Sequence, residues 1–360
     1  MTKNFIAILA GTFLVTAGLP ATAFADTVSG GQGSGESARG ALDEMPDLSS
    51  RSIVDLKPPR IKTDEASRDF SMPTEEELQK AFSTRSRSGD GKVTPPNEEL
   101  KEIIRGLVNG DGADAGDARE PADDPVLDEA SRQVIGEDDR VQITETKKYP
   151  FNVIGQIWSQ TKDGDWGICT GTLIGKRAVL TAAHCLYNHD AGGWLARYEF
   201  FPGLNGQNDA PYGRYSFVDA YILEGYITNY QGVYGSVVPW DLGILILDKP
   251  AGEEIGWLGY ATYDPPYPFT ANIIGYPGDK PQSTMWQASC DVDPGTATQN
   301  NFSYLCDTYP GSSGSAVYHY DGKTQERYIV GVNIAETEKE NIALRLNGPY
   351  FNWVRSIAQE

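Results

Sequence analysis

The chain has 360 residues, of which 39% are hydrophobic, with 39 glycines, 22 prolines and 19 tyrosines, a composition typical of a β-rich exported protein rather than a helical bundle. Its 30 Lys and Arg residues against 50 Asp and Glu residues give a net charge of −20. This excess of acid argues against nucleic acid as a partner, because each phosphate contact needs a basic group. The four cysteines are too few for a disulfide scaffold and lack the Cys-x-x-Cys pairing of a structural zinc site.

The first 25 residues have the pattern of a secretory signal peptide. Lys3 precedes an apolar stretch from Phe5 to Leu19, and Ala23-Phe24-Ala25 has the form of a cleavage site. We therefore expect residues 1–25 to be removed, and no later apolar run is long enough to span a membrane. Export implies an oxidising compartment, in which cysteines usually form disulfides.

The composition changes near residue 133. Residues 26–133 contain no Trp, Tyr, Cys or His, and such a polar stretch cannot bury enough apolar surface to offset the entropy of ordering it. Acidic first turns predict two short helices, one leading to Ala81 and Phe82 and the other running from Leu100 to Leu107. Composition leaves two interpretations open, a flexible spacer or a pro-segment that is removed later.

The residues after Val134 have the pattern of an all-β domain. They contain all seven tryptophans and all nineteen tyrosines. Short apolar runs bounded by Gly, Pro, Asn and Asp predict an antiparallel barrel or sandwich, at Val153–Ile157, Thr172–Ile174, Ala178–Leu180, Leu242–Leu247, Ile273–Ile274 and Tyr328–Val332. Helical spacing of apolar residues at 350, 353, 354 and 357 predicts one helix at the end of the chain.

One histidine, one aspartate and one serine have the chemistry of a nucleophilic triad. His184 lies in a Thr-Ala-Ala-His-Cys block, Asp241 directly precedes a buried strand, and Ser313 lies in a loop of small residues. A serine hydroxyl is a weak nucleophile unless an imidazole takes its proton and a carboxylate orients that imidazole. We expect the two other histidines to be structural, His189 in a solvated loop and His319 on a strand.

The same blocks contain two supporting features. Small residues around Ser313 allow a tight turn that would point the amides of Gly311 and Ser313 at one spot, as an oxyanion hole requires. A disulfide between Cys169 and Cys185 would fix the loop that carries His184 to the preceding strand.

The chain resembles the chymotrypsin-like serine proteases in three blocks, Thr181-Ala-Ala-His184-Cys185, Asp241-Leu-Gly-Ile and Gly311-Ser-Ser313-Gly-Ser. It is similar to the bacterial branch of V8 protease and the glutamyl endopeptidases in two more stretches, Asp139–Thr146 and Ile274–Pro281. This resemblance covers about residues 134–359. It implies two antiparallel β-barrels over roughly 150–250 and 260–345, with the active site between them and a C-terminal helix outside.

The resemblance assigns roles to the triad. His184 would be the general base, Asp241 its orienting carboxylate and Ser313 the nucleophile, while the amides of Gly311 and Ser313 would form the oxyanion hole. It also gives Cys290 and Cys306, which flank a Gly- and Asn-rich hairpin, the role of a second disulfide, with free thiols as the alternative.

The resemblance also identifies residues of the substrate pocket. Thr308 lies five positions before Ser313, like the pocket threonine of the V8 branch, and Asn333 stands where that branch has a histidine that binds glutamate. Ala335 replaces a glycine on the wall along which the substrate runs. Glutamyl endopeptidases also use the α-amine of the mature N-terminus, and cleavage within 131–133 would supply it at Val134.

Together these observations predict a signal peptide at 1–25, a largely disordered pro-segment at 26–133 and a protease domain at 134–360. We expect a secreted monomeric serine endopeptidase that acts on proteins or peptides, with a possible preference for Glu, and that needs no cofactor or metal. No EF-hand pattern for calcium is present. The alternative function is that of a non-catalytic binding protein or toxin with a protease fold.

Overall fold

The computed structural model describes residues 46–54, 80–94, 134–135, 137–337 and 339–358. The strands are β1 (Thr84–Ser88), β2 (Val93–Thr94), β3 (Val141–Ile143), β4 (Ile154–Gln160), β5 (Trp166–Leu173), β6 (Ala178–Thr181), β7 (Tyr187–Asn188), β8 (Gly193–Trp194), β9 (Arg197–Pro202), β10 (Tyr215–Leu223), β11 (Gly243–Leu247), β12 (Gly259–Tyr260), β13 (Phe269–Gly275), β14 (Met285–Val292), β15 (Asn301–Tyr304), β16 (Ala316–Asp321), β17 (Glu326–Glu336) and β18 (Asn341–Arg345). The helices are α1 (Glu224–Thr228), α2 (Ala251–Ile255) and α3 (Gly348–Ala358). None of the described helices is long and apolar enough to cross a lipid bilayer.

The first half of the domain is a closed antiparallel barrel. Its strands follow the order β11-β6-β5-β4-β9-β10, and β10 pairs back with β11 to close the ring. β-Branched and other large apolar residues face inward and fill the centre, which is how a small barrel excludes water. Ile157, Leu180, Ile222 and Ile244 are all 0% exposed.

The second half is a curved sheet of six strands in the order β15-β18-β17-β16-β13-β14, to which β3 adds at the outer edge of β14. Strands β14 and β15 are linked by the Cys290–Cys306 disulfide rather than by a hairpin. The expected hairpin between these cysteines is wrong, because β15 pairs with β18 instead of β14. The core of this second half contains several aromatic rings, including Tyr263, Phe269 and Phe302.

The predicted all-β fold and terminal helix are confirmed. Helix α3 buries Tyr350, Trp353, Val354 and Ile357, the four positions that the spacing selected. The ring of Phe351, on the same helix, packs on the ring of Tyr260, and the two centroids are 5.3 Å apart.

Two described pieces of the N-terminal region pack against the domain. Strand β1 pairs with β10 from Thr84↔Leu223 to Ser88↔Asp219, where β9 no longer covers that strand. Ahead of it, Phe82 is 4% exposed and lies against Trp240 and Tyr350. The second piece is residues 46–54, where Leu48 is 1% exposed and Ile53 bridges Trp166. The composition-based expectation of disorder therefore does not hold for residues 46–54 and 80–94, because a few apolar side chains dock onto a core that the rest of the chain builds. The predicted helix at 100–107 and the signal peptide lie outside the described residues.

Candidate active site

His184 and Asp241 form a buried pair that is joined by two hydrogen bonds. His184 lies on a 3-10 turn at the end of β6, and Asp241 directly precedes β11, the strand that pairs with β6. Nδ1 of His184 is 2.7 Å from Oδ2 of Asp241, and the main-chain amide of His184 donates to Oδ1 at 2.9 Å. The side chains are 2% and 0% exposed. Two contacts to one carboxylate fix both the ring and the backbone of the histidine, as a general base requires.

The second nitrogen of the His184 imidazole, Nε2, is buried and makes no hydrogen bond within the described part of the chain. A buried ring nitrogen without a partner is costly in a site that only needs to be stable. It is what a base needs if it is to accept a proton from a bound reactant.

Ser313 lies near this pair on the loop between β15 and β16, which contacts both halves of the domain. The amide of Thr170 on β5 donates to the carbonyl of Ser313 at 2.8 Å, and Sγ of Cys185 lies 3.7 Å from the same oxygen. From the second half, the amide of Gly314 donates to the carbonyl of Asn333 at 2.8 Å. The structure thus places Ser313 beside the turn that carries His184, which is itself hydrogen-bonded to Asp241.

Glycine is needed at two positions of this loop. Gly311 has a φ of +104°, and a Cβ there would lie 2.4 Å from the carbonyl oxygen of Tyr276. A Cβ at Gly314 would lie 2.2 Å from Oγ1 of Thr181. Both contacts are far below van der Waals separation, so a side chain at either position would displace the loop from the barrel wall.

The amides of Gly311 and Ser313 are free to bind a ligand. Neighbouring amides are used internally, since Ser312 donates to Tyr309 and Ser315 donates to Ser312. Within the described ranges, neither Gly311 nor Ser313 donates its amide to another residue. Two unpaired donors beside a nucleophile are the arrangement that stabilises an oxyanion.

Both predicted disulfides are present. Cys169 on β5 is bonded to Cys185, the residue after His184, and Cys290 is bonded to Cys306. Cys169 and Cys185 are both fully buried. The first disulfide therefore attaches the turn that carries His184 to the strand whose Thr170 holds the serine loop.

The side chain of Thr308 is buried and hydrogen-bonded within the protein. It is 2% exposed, and its hydroxyl is 2.9 Å from Oδ1 of Asn341, a residue that itself donates to the carbonyl of Cys306 at 2.8 Å. Neighbouring Asp307 is 4% exposed and accepts the amides of Ile135 at 2.7 Å and Asp139 at 3.1 Å. Burial raises the pKa of the Asp307 carboxyl, against the opposing effect of these two amides.

The side chain of Asn333 is also hydrogen-bonded within the protein. Its side-chain amide donates to the carbonyl of Ser312 at 3.1 Å, and its Oδ1 accepts from the hydroxyl of Tyr304 at 2.5 Å. Ala335 is 3% exposed and follows a register shift between β17 and β18 at Asn333. Neither residue brings a positive charge to the pocket.

The segment after Val134 is held by an ion cluster. Arg140, whose side chain is 2% exposed, pairs with Asp138 at 2.9 Å and with Asp279 at 2.5 Å, and Lys280 also reaches Asp138. Hydrogen bonds from Arg140, with Lys280 adding to them, hold the pKa of the Asp138 carboxyl well below its usual range. This cluster fixes the chain just downstream of the expected maturation site.

Comparison with known proteins agrees with this geometry. Residues 169–331 match the trypsin-like peptidase domain family. The chain is 36% identical over 191 residues to a glutamyl endopeptidase of Bacillus licheniformis, covering 52% of this chain and 55% of that protein. It is 30% identical over 231 residues to an extracellular metalloprotease of Bacillus subtilis, covering 63% of this chain and 70% of the other.

A solved structure gives the same result. Glu endopeptidase in complex with MPD superposes with a TM-score of 0.54 at 27% identity, over 63% of this chain and all of the other. The chain belongs to the trypsin-like peptidase family. Its similarity lies in the V8-like branch of serine endopeptidases. The chain spans 55% of the length of the Bacillus licheniformis relative.

The two other histidines of this trypsin-like peptidase lie on separate elements. His319 lies on β16, as predicted. His189 lies in a turn, as expected, with its side chain half-buried rather than fully solvated. Its ring stacks on Tyr230 with centroids 3.7 Å apart, and Nε2 contacts the carbonyl of Tyr226. Desolvation lowers the pKa of this imidazole. Tyr226 and Tyr230 are distant from His189 in sequence, so no local pattern predicted these contacts.

One group of potential metal ligands is found among the described residues, and its donor set does not suit a metal. It consists of Cys169, His184 and Cys185. The two sulfurs are bonded to each other, so neither is a thiolate, which is the form that binds metal. Nδ1 of the imidazole is taken by Asp241.

Sequence reasoning missed the residues that support the site. Thr170 is fully buried, and its hydroxyl donates to the carbonyl of Gly311 at 2.9 Å while accepting the amide of Tyr276 at 3.1 Å. Its position next to Cys169 is the one signal that could have marked it. Asn341 holds Thr308 through a hydrogen bond, but no motif surrounds Asn341.

Proposed function

We propose that this protein is a serine endopeptidase made as a precursor, which hydrolyses peptide bonds through an acyl-enzyme on Ser313. The observation that carries the proposal is the double hydrogen bond of Asp241 to His184, together with an Nε2 that has no partner within the described part of the chain. His184 is thereby oriented with its accepting nitrogen available beside the serine loop.

The chemistry follows from these positions. Oγ of Ser313 attacks the carbonyl carbon while His184 takes the hydroxyl proton on Nε2, and the oxyanion binds the amides of Gly311 and Ser313. The C–N bond then breaks as the imidazolium returns its proton to the leaving amine. Water, deprotonated by His184, hydrolyses the acyl ester and restores Ser313.

We further propose a preference for Glu before the scissile bond, acquired on maturation. The names of relatives support it, and so does the placement of Thr308. The side chains of Thr308 and Asn333 bring no cation, and Asp307 beside them repels a carboxylate when it is ionised. Cleavage before Val134 would create an α-amine one residue from Ile135, whose amide already contacts Asp307 at 2.7 Å.

This arrangement would couple specificity to processing. A peptide amide within the precursor carries no charge, whereas an α-amine is largely protonated near neutral pH. Cleavage before Val134 would therefore add the positive charge that a glutamyl substrate needs. Export is part of the proposal, supported by two disulfides and by a relative named as extracellular.

The experiment compares cut sites in a library of peptides that are matched except for Glu, Gln, Asp or Lys before the scissile bond. The processed protein and its Ser313→Ala variant are used in parallel. We expect cleavage only with Ser313 present, at least tenfold faster after Glu than after Gln, from a protein whose N-terminal residue is Val134.

Each failure has its own meaning. Serine-dependent cleavage with equal rates after Glu and Gln would reject the glutamyl preference and keep the peptidase. No cleavage by folded, correctly processed protein would reject the peptidase and leave a non-catalytic binding function. Equal cleavage by the Ser313→Ala variant would show that another enzyme or another residue does the work.

A further inference from the structure

Residues 46–54, here called the N-terminal strap, lie along the edge of the strand that leads into the active site. The amide of Trp166 donates to the carbonyl of Ser52 at 2.9 Å, and the amide of Val54 donates to the carbonyl of Trp166 at 2.7 Å. Ile53 forms a parallel bridge with Trp166. The strap thus satisfies the main-chain groups that β5 exposes at this edge.

Side chains fix the strap on both sides of this bridge. Arg51 contacts the buried carboxylate of Glu199 at 2.6 Å, and its guanidinium carbon lies 3.9 Å from the ring centroid of Trp166. Leu48 is 1% exposed and belongs to the core of the first barrel. An ion pair combined with stacking on an aromatic ring orders an arginine strongly, so the strap has a defined position.

The strap ends next to the proposed oxyanion hole. Ile53 and Val54 line a cavity of about 200 Å³ together with Ile168, Tyr309, Pro310 and Gly311. Cδ1 of Ile168 lies 3.3 Å from the position that a Cβ on Gly311 would occupy. The cavity is therefore narrow, mainly apolar and directly beside the amide of Gly311.

This cavity lies on the side of the scissile bond from which the amine leaves. The leaving amine takes its proton from His184, whose neighbour Cys185 is bonded to Cys169. Ile168 of the cavity directly precedes Cys169, so the cavity lies on the side of the serine loop that faces the His184 turn. The acyl side lies in the other direction, where the carbonyl of Asn333 on β17 accepts the amide of Gly314.

We propose that the N-terminal strap occupies the leaving-group subsite of the proposed peptidase and excludes the residues that follow the scissile bond of a substrate. An extended peptide binds a strand edge through main-chain hydrogen bonds, and the strap already uses those of Trp166. Ile53 and Val54 form one wall of the cavity, so a substrate that follows this strand edge would collide with the strap before reaching it. This inference rests on the proposed function, and it assigns residues 46–54 an inhibitory role.

The expected effect follows from competition. If the strap is docked nine-tenths of the time, the apparent affinity for a peptide that needs the same subsite is reduced about tenfold. A peptide that ends at the scissile bond makes no contact with this subsite and loses nothing. The ratio of the two affinities therefore measures only how far the docked strap blocks this subsite.

The test uses the Ser313→Ala protein, which cannot cleave itself, after a separate protease has cut it before Val134, with the N-terminal fragment kept bound. The α-amine that the proposed glutamyl pocket needs is then present in every sample. Two labelled peptides share their acyl-side residues; one ends at Glu as an amide, and the other continues with Ile-Leu-Ala-Ala. Val54→Pro removes the amide that bonds to Trp166. Ser52→Pro is the matched control, because the amide of Ser52 donates to no described residue and Arg51 before it is already extended, with a φ of −81° and a ψ of 126°.

We expect Val54→Pro to tighten binding of the long peptide about tenfold relative to Ser52→Pro, with the short peptide unchanged. Hydrogen exchange of the Trp166 amide should be slow in the parent and in the control and fast in Val54→Pro. Arg51→Ala is a second way to release the strap, since Glu199 keeps two other cations, Arg197 and Arg214.

The outcomes separate the two proposals. Equal affinity of the long peptide for released and docked chains would overturn the inhibitory role while the short peptide still supports the proposed function. Fast exchange of Trp166 in every chain would overturn the docking itself, whatever the peptides do. If neither peptide binds any chain, the proposed function fails and this inference fails with it.

Discussion

Removing the two disulfides separately should produce similar losses of stability and different losses of activity. Each disulfide joins cysteines 16 positions apart in sequence. The chain-entropy relation depends on loop length alone and gives about 3 kcal/mol for either loop. We therefore expect Cys169→Ala with Cys185→Ala, and Cys290→Ala with Cys306→Ala, each to lower the free energy of unfolding by about 3 kcal/mol.

Their surroundings differ. Cys169 and Cys185 are fully buried, and Cys185 is both the neighbour of His184 and a contact of the Ser313 carbonyl. Without this disulfide, the turn that carries His184 is held to β5 only by noncovalent contacts. Because a misplacement of about 1 Å can cost 100-fold in rate, we expect kcat/KM to fall about 100-fold in the first variant and less than threefold in the second.

The assay has two parts. Urea unfolding, followed by tryptophan fluorescence, compares the variants in the Ser313→Ala background, where self-cleavage is excluded. Hydrolysis of a glutamyl peptide compares them with Ser313 intact, at a temperature at which both remain folded. Equal loss of activity in the two variants would refute the argument, because it would show that the first disulfide acts through stability alone.

Three further changes have defined outcomes. Asp241→Asn should lower kcat by about 10⁴-fold, since the amide supports the wrong imidazole tautomer, whereas exposed Asp163→Asn should leave turnover unchanged; comparable rates would reject the triad. Phe82→Ala should lower the free energy of unfolding, measured in urea, by about 3 kcal/mol. Val93 is 44% exposed, so the control Val93→Ala should lower it by less than about 0.5 kcal/mol. The pKa of Asp138 is lowered in the folded protein, so its carboxylate stabilises the fold above the usual aspartate pKa. This stabilisation is lost as the pH falls through the pKa of the folded state. The advantage of wild type over Asp138→Asn should therefore shrink below about pH 4, and a constant difference would contradict this.

The triad could be predicted from sequence because each member lies in a short block with a strict local requirement. His184 precedes a cysteine that fixes its turn, Asp241 comes just before a fully apolar strand, and Ser313 lies between two glycines that the loop geometry demands. Such requirements leave a pattern within a few residues. Strand positions were predictable for the same reason, since apolar runs of strand length are local.

The pocket and the N-terminal contacts could not be predicted, because they depend on residues that meet only after folding. Thr308 and Asn341 are 33 positions apart and form one hydrogen bond. Trp353 donates to the hydroxyl of Thr84 across 269 positions. The polar composition of residues 26–133 correctly indicated that this stretch builds no core of its own, but composition does not show which of its few apolar residues dock elsewhere.

Cutting the chain before Val134 and losing the N-terminal region are separate events. Strand β1 occupies an edge of β10, Arg85 makes a bidentate ion pair with Glu224, and Phe82 packs on Trp240, the residue before Asp241. None of these contacts depends on the peptide bond at 133. Dissociation would expose the buried side chain of Phe82 and unpair Glu224, at a cost of several kcal/mol.

We therefore expect the processed enzyme to retain a fragment that contains residues 80–94. In size-exclusion chromatography under native conditions, the piece beginning at Val134 should elute together with this fragment, and about 4 M urea should be needed to separate them. Phe82→Ala should release the fragment at lower urea. A processed domain that elutes alone and keeps its full unfolding free energy would contradict this, because it would show that β1 adds nothing to the barrel once the chain has been cut.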